Sequence, residues 1–152
     1  MPNIRHAHRL RTGRYSAPGQ VYLITTVVRN REPVFTDLRR GRLVVDALRT
    51  TEQEGLALSL AWVVMPDHLH WLIELKDSTL SCLMARTKSR ITLALNRAIG
   101  LEGPLWQHGF HDRALRREED LQAVARYIVA NPLRAGLVKK IGDYSFWDAV
   151  WL

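Results

Sequence analysis

Two histidines flank one bulky apolar residue at His68-Leu69-His70, inside a run from Trp62 to Leu75 that reads as strand, turn, strand. Side chains alternate on a strand, so His68 and His70 share a face, roughly 6.5–7 Å apart along the backbone. Two imidazoles at that spacing can lean onto one cation. Leu69, Trp71, Ile73 and Leu75 take the other face and read as core. Leu72 and Glu74 share the histidines' face, which reads as a floor open to solvent at its polar end. Taken alone, the pair fits equally two surface histidines on an exposed sheet.

A second group with chemical potential lies near the C-terminus, in Arg126-Tyr127-Ile128-Val129-Ala130-Asn131. The pattern predicts a helix with Leu121, Val124, Ala125 and Ile128 as its core stripe. Tyr127 and Asn131 are four residues apart and lie one above the other, to the side of that stripe. A phenol is a weak nucleophile alone, with an ordinary pKa near 10. A cation held by two histidines would polarise a phosphodiester, and a tyrosine hydroxyl beside it could attack, leaving a phosphotyrosine link. The residues leave open a plainer reading, in which Tyr127 packs on the core edge and Asn131 serves the Asn-Pro turn. Tyr22 within a strand, Tyr144 in the C-terminal tail and Tyr15 in a basic arm are weaker nucleophiles. His108 and His111, between Trp106 and Arg113, fit a solvated loop or a contact to metal or DNA.

These groups need elements to hold them. Residues 1–19 are basic and turn-rich and read as an arm; Val21 to Val28 is rich in β-branched and aromatic residues and reads as a strand. Asp37 precedes a helix running to about Glu54, with Leu38, Val45 and Leu48 on its apolar stripe and Gly55 ending it. Leu56 to Met65 reads as a strand apolar on both faces, Met65-Pro66-Asp67 as a turn, and His68 to Leu75 as the next strand. Ser78 or Thr79 caps a helix to about Ile99, stopped by Gly100. After a Gly103-Pro104 loop, Phe110 to Leu115 is a short strand. Arg117-Glu118-Glu119-Asp120 opens the last helix with acid at its positive end, and Pro132 ends it at Asn131. The order predicts an α+β fold: a ferredoxin-like sandwich with an antiparallel sheet, the two long helices on one face, and the histidines on the other, open face.

At 152 residues the expectation is one domain, the arm included. Apolar residues make up 47%, and no run approaches the roughly 18 needed to span a membrane. Cys82 is the only cysteine, which excludes an intrachain disulfide or a cysteine-rich zinc site and reads as a small core residue. The N-terminus carries no apolar signal segment, and these features favour the cytoplasm. Lys and Arg number 22 against 15 Asp and Glu, for a net charge of +7. All but Lys76, Lys88, Lys139 and Lys140 are arginines, whose planar fork suits phosphate and stacks on bases. A genome rich in Arg codons would also produce that bias. As a DNA interface the sequence offers Arg5, Arg9, Arg11 and Arg14 in the arm, with Lys88, Arg90, Arg113, Arg116, Arg117 and Arg134 further on.

Two long blocks carry a family resemblance. Met65-Pro66-Asp67-His68-Leu69-His70 matches the Met-Pro-(Asn or Asp)-His-x-His context, and Tyr127 to Val138 matches Tyr-Ile-x-x-Asn-Pro-x-Arg-Ala-Gly-Leu-Val. Weaker matches are Gly19 and Tyr22, Leu105-Trp106-Gln107, Asp112-Arg113 and Asp143-Tyr144. The chain resembles, over nearly its whole length, the REP-associated tyrosine transposases, a branch of the single-tyrosine HUH transposases. The resemblance implies the ferredoxin-like fold with the histidine pair on a central strand. It implies Tyr127 as nucleophile, forming a 5′-phosphotyrosine link, and His68 and His70 as ligands of Mg²⁺ or Mn²⁺, with Asn131 as a weaker third. The implied partner is single-stranded DNA folded as a short palindromic hairpin, at the nucleoid. This branch is compatible with a monomer, whereas the insertion-sequence relatives work as dimers. Two other classes compete: a non-catalytic hairpin binder or repressor on the same scaffold, and a metal-binding protein with no nucleic-acid role. The intact His, His and Tyr weigh against the first, and the charge and the Arg-rich arm against the second.

Overall fold

The computed structural model describes residues 17–116 and 120–151. Five strands, β1 (Val21–Val27), β2 (Ala57–Met65), β3 (His68–Leu75), β4 (His111–Leu115) and β5 (Trp147–Ala149), form one sheet in the order β4-β1-β3-β2-β5. Every pairing is antiparallel. Helices α1 (Leu38–Gln53) and α2 (Leu80–Ile99) join β1 to β2 and β3 to β4, which is the ferredoxin-like βαββαβ path. The strand carrying both histidines is the middle one.

Local chemistry sets the element ends. The Asp37 carboxylate accepts the Arg40 N–H at 2.8 Å and starts α1. The Thr79 hydroxyl accepts the Cys82 N–H at 3.1 Å and starts α2, while Gly100 closes it in a left-handed conformation at φ 66°. The Asp120 carboxylate accepts the Ala123 N–H and starts α3 (Leu121–Val129). The acidic Glu118 and Glu119 expected ahead of α3 lie outside the described residues. The last helix does not end at Pro132. It bends at Ala130, and Pro132 sits near the start of one more turn, α4 (Asn131–Arg134), where its missing N–H leaves no hydrogen bond unmade.

Both faces of the sheet are covered, unequally. On one, Leu69, Trp71, Ile73 and Leu75 of β3 pack with Val44 and Leu48 of α1 and Leu83, Met84, Ile91 and Leu95 of α2. These are the strand residues expected to be core. The opposite face is not the open floor the sequence suggests. Leu72 is buried there under Ala125, Ile128 and Val129 of α3, together with Ala61, Val63 and Met65 of β2. The amphipathic helix α3 needs an apolar partner, and the β2 half of this face supplies it. The β1–β4 half stays more exposed.

Two features were not foreseen. A bulge in β2 shifts the register between Ser59 and Ala61, and its loose groups are tied down: the Ser59 N–H donates to Glu52 Oε1 at 2.8 Å, and Trp71 Nε1 donates to Ser59 Oγ at 2.9 Å. The C-terminal segment then adds β5 along β2. Tyr144 donates its hydroxyl to the Val64 carbonyl at 2.6 Å, and burial pushes its pKa up to about 12. Phe146 presses against Gly41 of α1, where any Cβ would fall 2.2 Å from the ring. Cys82 is exposed rather than core, since it lies in the first turn of α2 on the side away from the sheet. Among the described residues no helix is long and apolar enough to cross a membrane.

Candidate active site

The His68–His70 pair starts immediately after a two-residue turn, Pro66-Asp67, and that turn is pinned from outside. The Val28 N–H donates to the Asp67 carbonyl, and the Phe35 N–H to the Pro66 carbonyl, each at 2.9 Å. The Leu105–Gln107 segment braces the same end of β1 through Arg29 N–H to Leu105 O and Gln107 N–H to Val27 O. The histidines therefore sit on backbone that is held from several directions.

Their rings stand 4.8 Å apart, edge to face. His68 donates Nδ1–H to Asp67 Oδ1 at 2.6 Å; a carboxylate can only accept, so a proton lies on Nδ1 and Nε2 is the nitrogen left to face the site. Burial alone would raise the Asp67 pKa, but the hydrogen bonds from His68 and Arg31, and their charges, hold it below the usual carboxylate value. Arg31 Nη1 reaches Asp67 Oδ2 at 3.1 Å. His70 Nδ1 lies 2.8 Å from Thr25 Oγ1, whose hydroxyl can accept from Nδ1–H and leave Nε2 free as well. The pKa of His70 is pushed down to about 4, by burial first and then by the charges of His68 and Arg134, so the ring is neutral at physiological pH.

The partner side chain arrives from the far end of the sequence. Asn131 Nδ2 lies 3.3 Å from His68 Nε2. Tyr127 is one helical turn before Asn131 and is 66% exposed rather than packed on the core. The donor set fits a small divalent cation: two imidazoles with Nδ1 occupied by second partners, and one amide. Among the described residues no group of three or more His, Cys, Asp or Glu side chains converges, so such a cation would depend on the amide and leave positions open for substrate.

The other residues singled out in the sequence fall differently. Arg134 lies against Tyr127, its Cζ 3.9 Å from the ring centroid. His111 lies on β4 in the row that includes His70, since Thr25 is the register partner of both, and Arg113 is on the same face two residues along, opposite Leu23. His111 is thus a strand residue, not a loop residue. Arg116 follows β4 and is exposed. Two residues lie in the helical layer across the sheet from the histidines. Lys88 donates Nζ to the carbonyls of Gly109 at 2.8 Å and Gln107 at 3.3 Å, and burial lowers its pKa. Arg90 bridges to Glu54 of α1 at 2.8 Å. Both hold internal structure together. Arg5, Arg9, Arg11, Arg14 and Arg117 lie outside the described residues.

Sequence reasoning gave no role to Asp67, Thr25 or Arg31. Asp67, directly before His-x-His, was the one visible cue. Thr25 meets His70 only through the β1–β3 register, and Arg31 reaches Asp67 from a turn where Asn30 and Arg31 both take left-handed φ, 57° and 52°.

Residues 17–131 match the family described as "Transposase IS200 like". A REP-associated tyrosine transposase of Escherichia coli is 28% identical over 135 residues, covering 88% of this chain and 78% of that one. A Haemophilus influenzae protein is 28% identical over 141 residues, covering 84% and 78%. Among solved structures, a REP-associated tyrosine transposase bound to a REP hairpin superposes with a TM-score of 0.73 at 28% identity, over 88% of this chain and 79% of the other. The strand order, the histidine pair on the central strand and a family match that runs from residue 17 through His68 and His70 to Asn131 agree: the chain belongs to the IS200-like transposase family and is similar, within it, to REP-associated tyrosine transposases.

Proposed function

We propose that the protein is a divalent-metal-dependent endonuclease and strand transferase that cuts single-stranded DNA folded as a hairpin, with Tyr127 as its nucleophile. The observation that carries this reading is the meeting of Asn131 with His68 Nε2, 63 residues apart in sequence, with the exposed Tyr127 one turn before the amide. A solvated face gives no reason for those side chains to gather.

In the reaction the Tyr127 oxygen attacks the phosphorus of the scissile phosphodiester and gives up its proton. The bond from phosphorus to the 3′ oxygen breaks, and that oxygen leaves as a hydroxyl after taking a proton. A 5′-phosphotyrosine link keeps the bond energy for a second transfer to another 3′-hydroxyl. His68, His70 and Asn131 would hold Mg²⁺ or Mn²⁺, with imidazole favouring Mn²⁺. When bound, the cation supplies positive charge to the phosphate oxygens as the new bond forms. Asp67 and Thr25 orient the two rings through their Nδ1 atoms. The hairpin substrate rests on the similar transposase whose structure holds a REP hairpin. Every group named comes from one chain, so a monomer suffices, and an enzyme of this kind works at the nucleoid in the cytoplasm.

The test is to incubate the protein with Mn²⁺ and an end-labelled stem-loop carrying a single-stranded 5′ flank, then run a denaturing gel. A covalent adduct that disappears in excess chelator is expected. A fully paired duplex of the same sequence should not be cut, because it holds the scissile phosphate too rigidly to reach the sheet face. Hairpin binding without any adduct would leave a non-catalytic binder.

A further inference from the structure

The sequence offers Arg134 as one of several residues of a DNA interface. Its place in the fold suggests a more particular task. Residue 134, in the extra turn α4 beyond the bend at Ala130, lies on the side of Tyr127, seven positions earlier, as helical spacing dictates. In a straight helix those two residues would be roughly 10 Å apart along the axis. The turn is locked in place: Gly136, in a left-handed conformation at φ 74°, donates its N–H to the Leu133 carbonyl, and the Leu137 N–H closes back on the Pro132 carbonyl at 2.9 Å. Pro132 is buried beneath it. The result is a guanidinium laid on the face of the phenol, 3.9 Å from its centroid.

We infer that Arg134 is a positioning residue for the nucleophile: its guanidinium clamps the exposed Tyr127 ring so that the hydroxyl is held toward the histidine pair. This rests on the reading of Tyr127 as nucleophile. Tyr127 has little else to fix it. It is exposed, on a helix whose buried face is Ala125, Ile128 and Val129, and a free tyrosine there samples several rotamers. A planar cation on the ring face selects among them without covering the hydroxyl at the ring's edge. Arginine suits this better than lysine, because the flat guanidinium stacks while an ammonium only points.

The experiment compares the full-length protein with Arg134→Gln, Arg134→Lys and Tyr127→Phe. The first readout needs no DNA. Ring current from Tyr127 should shift the Arg134 side-chain protons upfield in NMR spectra, and 3-fluorotyrosine incorporation should give a Tyr127 fluorine signal, assigned by its loss in Tyr127→Phe, that moves in Arg134→Gln. The second is single-turnover adduct formation at saturating hairpin, with Mn²⁺, alongside the hairpin Kd. Arg134→Gln is expected to slow adduct formation about five-fold, the population ratio an exposed cation–π contact supports, while Kd changes less. Arg134→Lys should fall between the two. An unchanged rate at saturation with a weaker Kd and a flatter salt dependence would overturn the clamp and leave a phosphate contact. An unmoved fluorine signal in Arg134→Gln would overturn it too. Failure of the underlying reading looks different: an adduct that persists in Tyr127→Phe removes the nucleophile itself, whatever Arg134 does to the ring.

Discussion

The hairpin that carries the histidines and the helix that carries the tyrosine are built on opposite terms. His68 and His70 start the middle strand of five, behind a turn pinned by Val28 and Phe35, and each ring's Nδ1 has a second partner in Asp67 or Thr25. Tyr127 stands on a helix of nine residues that touches the sheet through Ala125, Ile128 and Val129, and its ring is largely in solvent. On the proposed function, the difference follows from what each would have to do. A metal ligand works only where its lone pair is already aimed, since ligand geometry and second partners set the affinity. A nucleophile that joins itself to a DNA strand must reach out, admit a bulky phosphate and let it go. Rigidity is concentrated where geometry is needed and reduced where access is needed.

Removing either end of that pairing should have the largest effect. Tyr127→Phe should abolish adduct formation while Mn²⁺ binding, read by electron paramagnetic resonance, stays intact. His70→Ala should abolish both. If Tyr127→Phe lost Mn²⁺ binding as well, the two regions would not be separable in the way described. Asn131→Ala should reduce cleavage less than the histidine changes, because water can take the place of one amide.

Loosening the helix comes next. Ile128 is buried against the sheet, and Ile128→Ala should cost about 2–5 kcal/mol. Hydrogen exchange should rise first over residues 121–134 and only later in β3, if the helix is the less firmly held unit. Simultaneous loss of protection in both would show that they unfold together.

On the hairpin side, Asp67→Asn keeps the shape and removes the carboxylate that holds the His68 tautomer. Mn²⁺ affinity should drop about 10- to 100-fold, with little change in thermal stability. Titration of Mn²⁺ into the variant checks this, and unchanged affinity would mean His68 needs no such support.

The smallest effect expected is at the turn behind Tyr127. Gly136→Ala should cost roughly 1–2 kcal/mol, because an L side chain is strained at its positive φ. Adduct formation should slow while Mn²⁺ affinity holds. A matching loss of metal binding would join the two regions after all.

Much of this was legible in order of residues alone. Alternation around His68 and His70 gave the shared face and the exact bounds of β3, because a strand's period of two is a property of the backbone. Asp37, Thr79 and Gly100 marked helix ends through hydrogen bonds made to their own neighbours. The spacing of Tyr127 and Asn131 put them one turn apart, for the same local reason. What needed the fold was everything joined across distance. The sequence has no term for the packing of α3 on β2, so the histidines' face read as open when half of it is covered. Strand β5 is three residues long, too short for periodicity to register, and exists because the tail finds a free edge on β2. The charge count could not separate Lys88 and Arg90, spent on a loop and on a bridge between helices, from Arg134 on the tyrosine. Nor could it bring Asn131 to His68, or Arg31 to Asp67. Local propensity acts within a few bonds, and a catalytic site is assembled by contacts between elements whose positions only the closed core determines.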